Sequence, residues 1–349
     1  MKRLILIGNG FDLSHGYKSS YNDFICYYLC NALNHYMAGN CHDDVLLRIG
    51  SEESRNFTEK ITTLSKSFEV LDILIKRGNI VEFKSNLFKE ILFNIKTNKW
   101  VDIENHYFSY LIRYKHASNN NKKGIEDINL EFEFIKNEIE KYLLIIAKEN
   151  FRTTSNRYVQ LFCDVIKKDE IVLKEINEDL LPTELYFLNF NYTFTIENYI
   201  DNINKAIPST INYIHGELDS KENPIIFGFG DEHDKHYLEF EGEKNYELFK
   251  HIKSFNYFKT SNYHNLIRFI NSEDFQVYII GHSCGLSDRT MLKEIFEHKN
   301  CKSIKIFYYK KSENENDFTE KTYDISRHFT DKGLMRKKIV PFQKSKPLI

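Results

Sequence analysis

The chain has 349 residues, 42% hydrophobic and 28% charged, with a formal net charge of −2. A sizeable core is affordable at that length, global disorder is excluded, and the near-neutral balance offers no bulk basic field, so no nucleic-acid partner is expected. Six cysteines (Cys26, Cys30, Cys41, Cys163, Cys284, Cys301) lie without Cys-x-x-Cys spacing, which argues against a zinc ribbon or a dense disulfide framework.

The N-terminus passes from Met-Lys-Arg directly into the apolar run Leu4–Ile7, too short for a signal peptide, and no apolar run approaches membrane-spanning length. A cytoplasmic protein without membrane contact is expected. Leu4–Ile7 predicts a strand buried on both faces of a parallel sheet. It ends in Gly8-Asn9-Gly10-Phe11-Asp12, a Gly-x-Gly turn that lets backbone approach a ligand and, if a helix follows, aims free N–H groups at a phosphate. The third glycine of a dinucleotide fingerprint is replaced by Leu13, so a ligand-free strand-to-helix turn stays open on these residues alone.

Ser19 or Ser20 is placed to cap a helix over Tyr21–Asn34. From about residue 35 to 150 there is no proline and no strong strand signal; apolar residues recur at three and four, as in Phe68-Leu71-Leu74-Ile75 and Phe132-Ile135-Ile139-Leu143. A helical insertion over 35–150 is expected within an α/β domain made of 1–34 and 151–349, with the polar loop Ser118–Gly124 as a joint. Strands are predicted at Glu184–Asn189, Ile211–Ile214, Pro224–Gly228, Phe275–Gly281 and Ser303–Tyr309, and helices over Tyr246–Ile270 and Thr290–His298.

In such a sheet ligands bind beyond the carboxyl ends of the strands, so the residues that end them are the candidates. These are Gly8 to Asp12, Asn189-Phe190-Asn191-Tyr192-Thr193, His215-Gly216-Glu217, and Gly281-His282-Ser283-Cys284-Gly285-Leu286-Ser287-Asp288-Arg289. The last is also a literal Gly-x-Ser-x-Gly, so a serine hydrolase with Ser283, Asp324 and His328 must be weighed. Asp231-Glu232-His233-Asp234-Lys235-His236 is rich in ligand types, but it reads as a solvated loop and no metal is assigned.

Taken together, Ile-Gly-Asn-Gly-Phe-Asp, Phe-Asn-Tyr-Thr, Ile-His-Gly-Glu, Ile-Ile-Phe-Gly-Phe-Gly-Asp-Glu and Gly-His-Ser-x-Gly-x-Ser-Asp-Arg resemble, in order and spacing, the bacteriophage abortive infection family AbiH. More distantly, the chain resembles sirtuin-like NAD-consuming domains. The resemblance implies a Rossmann-like, sirtuin- or DHS-like, mainly parallel sheet with a large helical insertion. It also implies an antiphage role in which NAD is bound and hydrolysed to arrest the infected cell. Asn191 and His215 then match catalytic positions. Gly8, Asn9, Gly10, Phe11, Asp12, Gly281, His282, Ser283 and Asp288 match the dinucleotide contacts. Thr193 stands where the sirtuin-like relatives have Asp, and Asp12 where they have Ser. A non-catalytic nucleotide sensor switched by a phage component stays open beside the enzyme, as do a homo-oligomer and a partner protein.

Overall fold

In the computed structural model, which describes residues 1–50, 60–96, 102–117, 122–148 and 155–348, the opening apolar run becomes strand β1 (Lys2–Ile7). Eight further strands follow among the described residues: β2 (His42–Asp43), β3 (Leu47–Ile49), β4 (Val81–Phe83), β5 (Leu185–Asn189), β6 (Ser209–Tyr213), β7 (Phe275–Ile280), β8 (Cys301–Tyr308) and β9 (Lys346–Pro347). The chain divides into two compact units. One comprises Met1–Tyr17, Ala147–Gly242 and Ile252–Ile349; the other comprises Lys18–Ile146 and Glu243–His251.

The first unit is α/β. Its sheet has the order β6-β5-β1-β7-β8-β9, with every pair parallel. Because side chains alternate along a strand, Leu4 and Leu6 enter one core and Ile5 and Ile7 the other. Helices Asn262–Ser272 and Arg289–Glu297 cover the first face through Leu266, Phe269, Leu292 and Ile295. Helices Asn156–Cys163 and Glu197–Asn204 cover the other through Tyr158, Phe162, Tyr199 and Ile203. Burial on both faces explains the near-continuous apolar runs of β1 and β7. The chain leaves β1 for β5 and β6 on one side, then returns to β7 and β8 on the other. Strand order therefore reverses at β1, and the carboxyl ends of β5, β1 and β7 flank the switch point where open α/β sheets bind ligands.

At the amino ends the sheet buries charge. Arg3 Nη1 donates to the carbonyls of Phe162 and Asp164, each at 2.7 Å. Lys305 Nζ donates to Glu170 Oε1 at 2.5 Å, and Gln276 Nε2 to Glu170 Oε2 at 3.0 Å. The Arg3 guanidinium lies 4.0 Å from the centre of the Tyr278 ring.

In the second unit, helix Tyr21–Met37 starts with a capping box between Ser20 and Asp23 and runs past the expected end at Asn34. Helices Leu64–Arg77, Asn86–Lys96, Ile103–His116 and Lys122–Lys148 carry most of the remainder. Asn129 accepts from Tyr107 Oη at 2.6 Å and donates to the Glu247 carbonyl at 2.9 Å, which fastens 243–251 to these helices. Of the expected joint Ser118–Gly124, residues 118–121 lie outside the described residues, and Lys122–Gly124 already belong to a helix.

Three expectations are corrected. The 35–150 stretch contains the antiparallel sheet β2-β3-β4, whose strands of two or three residues are too short to show alternation. Pro224–Gly228 forms no strand: Ile226 N–H bonds the His215 carbonyl at 2.7 Å, so the segment lies along the turn after β6. The single helix expected over Tyr246–Ile270 is three, Tyr246–Phe249, Lys253–Tyr257 and Asn262–Ser272, the first of them 3-10. No helix among the described residues is long and apolar enough to cross a membrane.

Candidate functional site

Parallel pairing brings the ends of β1, β5, β6 and β7 to one edge. Phe190 N–H continues the ladder to the Ile7 carbonyl at 2.9 Å, and Asn191 Nδ2 donates to the Gly8 carbonyl at 3.1 Å. Gly8 and Gly10 lie against the loop after β7. A Cβ on Gly8 would stand 2.4 Å from His282 Cα, and one on Gly10 would stand 2.7 Å from Gly281 Cα. Gly281 has φ +69°, and a Cβ there would meet the Phe11 nitrogen at 2.2 Å. These three glycines thus permit two loops to interlock. The Gly10 N–H bonds the Gly281 carbonyl and the Phe11 N–H the Gly8 carbonyl, both at 2.9 Å. Two donors that the Gly-x-Gly turn was expected to offer a phosphate are therefore engaged. The helix that follows, Asn9–Ser14, has six residues. Asn9 is exposed at its start, and the Phe11 ring is fully buried among Tyr158, Phe162 and Tyr199.

Asp12 is buried, and its Oδ2 accepts from Thr193 Oγ1 at 2.5 Å; Thr195 Oγ1 lies 3.4 Å from Thr193 Oγ1. Its Oδ1 has no hydrogen-bond partner. Burial pushes the Asp12 carboxyl up to about 6, against the opposing pull of the Thr193 hydrogen bond and the nearby polar groups of Thr195 and Asn191. The residues at the two positions that depart from the sirtuin-like pattern are partners in one hydrogen bond.

At the end of β6, His215 is 5% exposed. Tyr257 lies parallel to its ring at 6.3 Å and Phe190 edge-on at 5.0 Å. His215 Nε2 is 3.0 Å from Asp288 Oδ1. Lys253 Nζ, also buried, donates to the same Oδ1 at 2.9 Å. Burial pushes the Asp288 carboxyl up, but Lys253 and His215 outweigh it and hold the group well below the usual carboxylate range. His282 Nδ1 accepts from the Cys284 N–H at 3.0 Å, and its Nε2 lies 3.7 Å from Asp288 Oδ2. Burial lowers the His282 ring to about 3, so it is a neutral wall of the site.

The edge thus gathers Asp12, Asn191, His215, His282 and Asp288, with Gly8, Gly10 and Gly281 beneath them. Ser283 is on the same loop but exposed. The hydrolase arrangement does not assemble: His328 Nε2 is engaged with the Cys284 carbonyl at 2.8 Å, and Asp324 pairs with Arg327 at 3.4 Å. It is Cys284, with φ 56°, rather than Ser283 that takes the strained backbone expected of a nucleophile elbow. In the Asp231–His236 loop, Asp231 holds Arg289 at 3.0 Å and Asp234 caps helix Lys235–Glu241.

Lys253 and Thr195 were not anticipated. Lys253 lies inside what reads as one amphipathic helix, and no spacing ties it to Asp288. Thr195 is four residues beyond Asn191 in a polar turn and could have been included.

The family model of bacteriophage abortive infection AbiH matches residues 4–310, a span that contains every side chain of this edge cluster. No curated protein matches the chain.

Proposed function

This chain belongs to the AbiH family of bacteriophage abortive infection, and from that premise we propose that it binds a dinucleotide at the carboxyl edge of its sheet and hydrolyses NAD to arrest the infected cell. The observation that carries this is a buried carboxylate oxygen at the switch point without a hydrogen-bond partner, Asp12 Oδ1, on the same sheet edge as a histidine, His215, that stands 3.0 Å from Asp288. Buried polar groups are normally satisfied, and exceptions call for an explanation; ribose hydroxyls are groups of the right kind to supply one. The Asp12–Thr193 bond adds support. An acid and a hydroxyl are both kept, exchanged between the two strand ends relative to the sirtuin-like pattern.

In the proposed reaction the oxygen of water bonds to C1′ of the nicotinamide ribose. The C1′–nitrogen bond breaks, and its electron pair leaves with nicotinamide, which becomes neutral. The proton of the water passes to His215 and then to solvent, leaving ADP-ribose. Positive charge grows on the ribose as the bond breaks. In this reading the Asn191 amide and the Asp12 carboxyl hold the ribose, and a preorganised polar edge favours that charge without reorganising.

The test is to incubate the protein with NAD and measure released nicotinamide, for wild type and for His215→Ala. Loss of the ring should lower the rate by roughly 10²–10⁴-fold and stability by only about 1 kcal/mol. Asn191→Ala is the companion, and the double variant should be little worse than either single one. Wild-type cleavage or phage protection by a folded His215→Ala protein would end the catalytic role. A second reading, a nucleotide sensor switched by a phage component, is favoured by the interlocked loops, which a dinucleotide must part. NAD binding in calorimetry without nicotinamide release would select it.

A further inference from the structure

The cluster around His215 contains a buried ion pair that no step above requires. Asp288 stands just after the β7 loop and Lys253 at the start of helix Lys253–Tyr257. The lysine is built into place. Its own N–H bonds the Phe229 carbonyl at 2.8 Å, and a Cβ on Gly230 would lie 3.4 Å from its Cδ and 2.4 Å from the Ser287 carbonyl oxygen. Both Lys253 Nζ and His215 Nε2 converge on one oxygen, Asp288 Oδ1, at 2.9 and 3.0 Å. Tyr257 and Phe190 fix the plane of the His215 ring. A buried acid costs several kcal/mol to keep charged unless it is paired, and Lys253 is that pair. A histidine backed by a carboxylate on one nitrogen keeps its lone pair on the other.

We propose that Asp288 and Lys253 are positioning residues for His215: the carboxylate fixes the proton on Nε2 so that Nδ1 faces the substrate as the acceptor, and the lysine keeps that carboxylate ionised. Asp288 then acts through His215 and touches no part of the dinucleotide. The inference rests on the catalytic role of His215 given above, and it names which of its nitrogens takes the proton.

The test reads the ring directly. Full-length protein labelled with ¹⁵N-histidine is observed in long-range ¹H–¹⁵N spectra, with the His215 signals identified by their loss in His215→Ala. Wild type should show a protonated Nε2 and an unprotonated Nδ1. Asp288→Asn should lose that preference and lower kcat for NAD cleavage by roughly 10²-fold or more, with KM little changed. Lys253→Arg should retain the wild-type pattern. If Asp288→Asn does not fold, the double variant Asp288→Asn/Lys253→Met removes both charges together, which buried sites tolerate better than losing one; it too should lose the preference. A folded Asp288→Asn or double variant with the wild-type ring pattern would overturn the proposal. Because the spectrum needs no turnover, it separates the two ideas. NAD cleavage with an unaltered ring in Asp288→Asn refutes the positioning role alone, whereas a ring that responds in a protein that never cleaves NAD refutes the catalytic reading alone.

Discussion

The two ends of the six-stranded sheet bury polar groups in opposite ways. At the amino ends, Arg3, Lys305 and Glu170 are each tied to a named partner. Two atoms there, Arg3 Nε and Tyr278 Oη, lack hydrogen bonds. The guanidinium is always charged, and burial pushes the Tyr278 phenol well above its ordinary range. At the carboxyl ends, unpartnered atoms belong to Asp12, His215 and His328, types that give and take protons, beside one atom of a fixed cation, Arg289 Nε. Burial of charge is common to both ends and so marks neither. What separates them is whether a buried group can exchange its proton and still has a vacant bonding position. The first end is built to hold strands together, the second to meet a ligand.

The sharpest way to break this contrast is at the amino end. Glu170→Ala leaves Lys305 a buried cation without its acid and Gln276 Nε2 without that acceptor, and should cost about 3–5 kcal/mol. Urea unfolding should show the loss, and a cost below about 1 kcal/mol would show that the network is not a fastening.

On the carboxyl edge, Gly10→Val should cost about 2–3 kcal/mol by driving a branched side chain into the Gly281 backbone. This differs from what the Gly-x-Gly turn suggests by itself, a selective loss of dinucleotide affinity. A Gly10→Val protein with the wild-type melting temperature would return the turn to a role in ligand approach.

Asp12→Asn should have the opposite sign. The folded state holds the Asp12 proton up to about 6, above the ordinary 3.8. Between those values the native state binds more protons than the unfolded one, so this group makes stability fall as pH rises through that window, and the loss persists above it. Asparagine has no charge to bury. The variant should gain about 1–2 kcal/mol at pH 8, with the advantage vanishing below about pH 4. Matched denaturation curves at the two pH values test this. A variant less stable than wild type at pH 8 would place Asp12 among the fastening groups instead.

The smallest effect is expected at Ser283. It is exposed, and Ser283→Ala should stay within about 0.5 kcal/mol of wild type without loss of nicotinamide release. Abolished activity would reopen the serine hydrolase.

Much of the edge was legible because its signals are local. An apolar run that stops at glycine, asparagine or histidine announces both a buried strand and what sits at its end, which is how Gly8, Asn191, His215 and Gly281 stand out. The partners of those residues are not local. Lys253 meets Asp288 only because the chain breaks between Phe249 and Lys253 and turns the lysine inward, and helical periodicity is blind to such a break. Arg3 and Lys305 look like ordinary polar punctuation of strands; only the sheet order reveals that Gln276 links Arg3 to Glu170, which holds Lys305. Pro224–Gly228 is apolar and extended, yet it bonds to a turn, a distinction that composition does not carry.

The sheet order has a consequence for synthesis. β1 is made long before its neighbours, which begin at Leu185 and Phe275. At roughly 5–20 residues per second, its apolar run waits on the order of ten seconds or more for the first of them, and longer for the second. During that wait residues 18–146 of the second unit emerge, whereas its 243–251 segment follows β5 and β6. The nascent chain therefore carries β1 as an unpaired apolar strand until Leu185–Asn189 has been made, and the central strand of the finished sheet is the segment most in need of shelter on the ribosome.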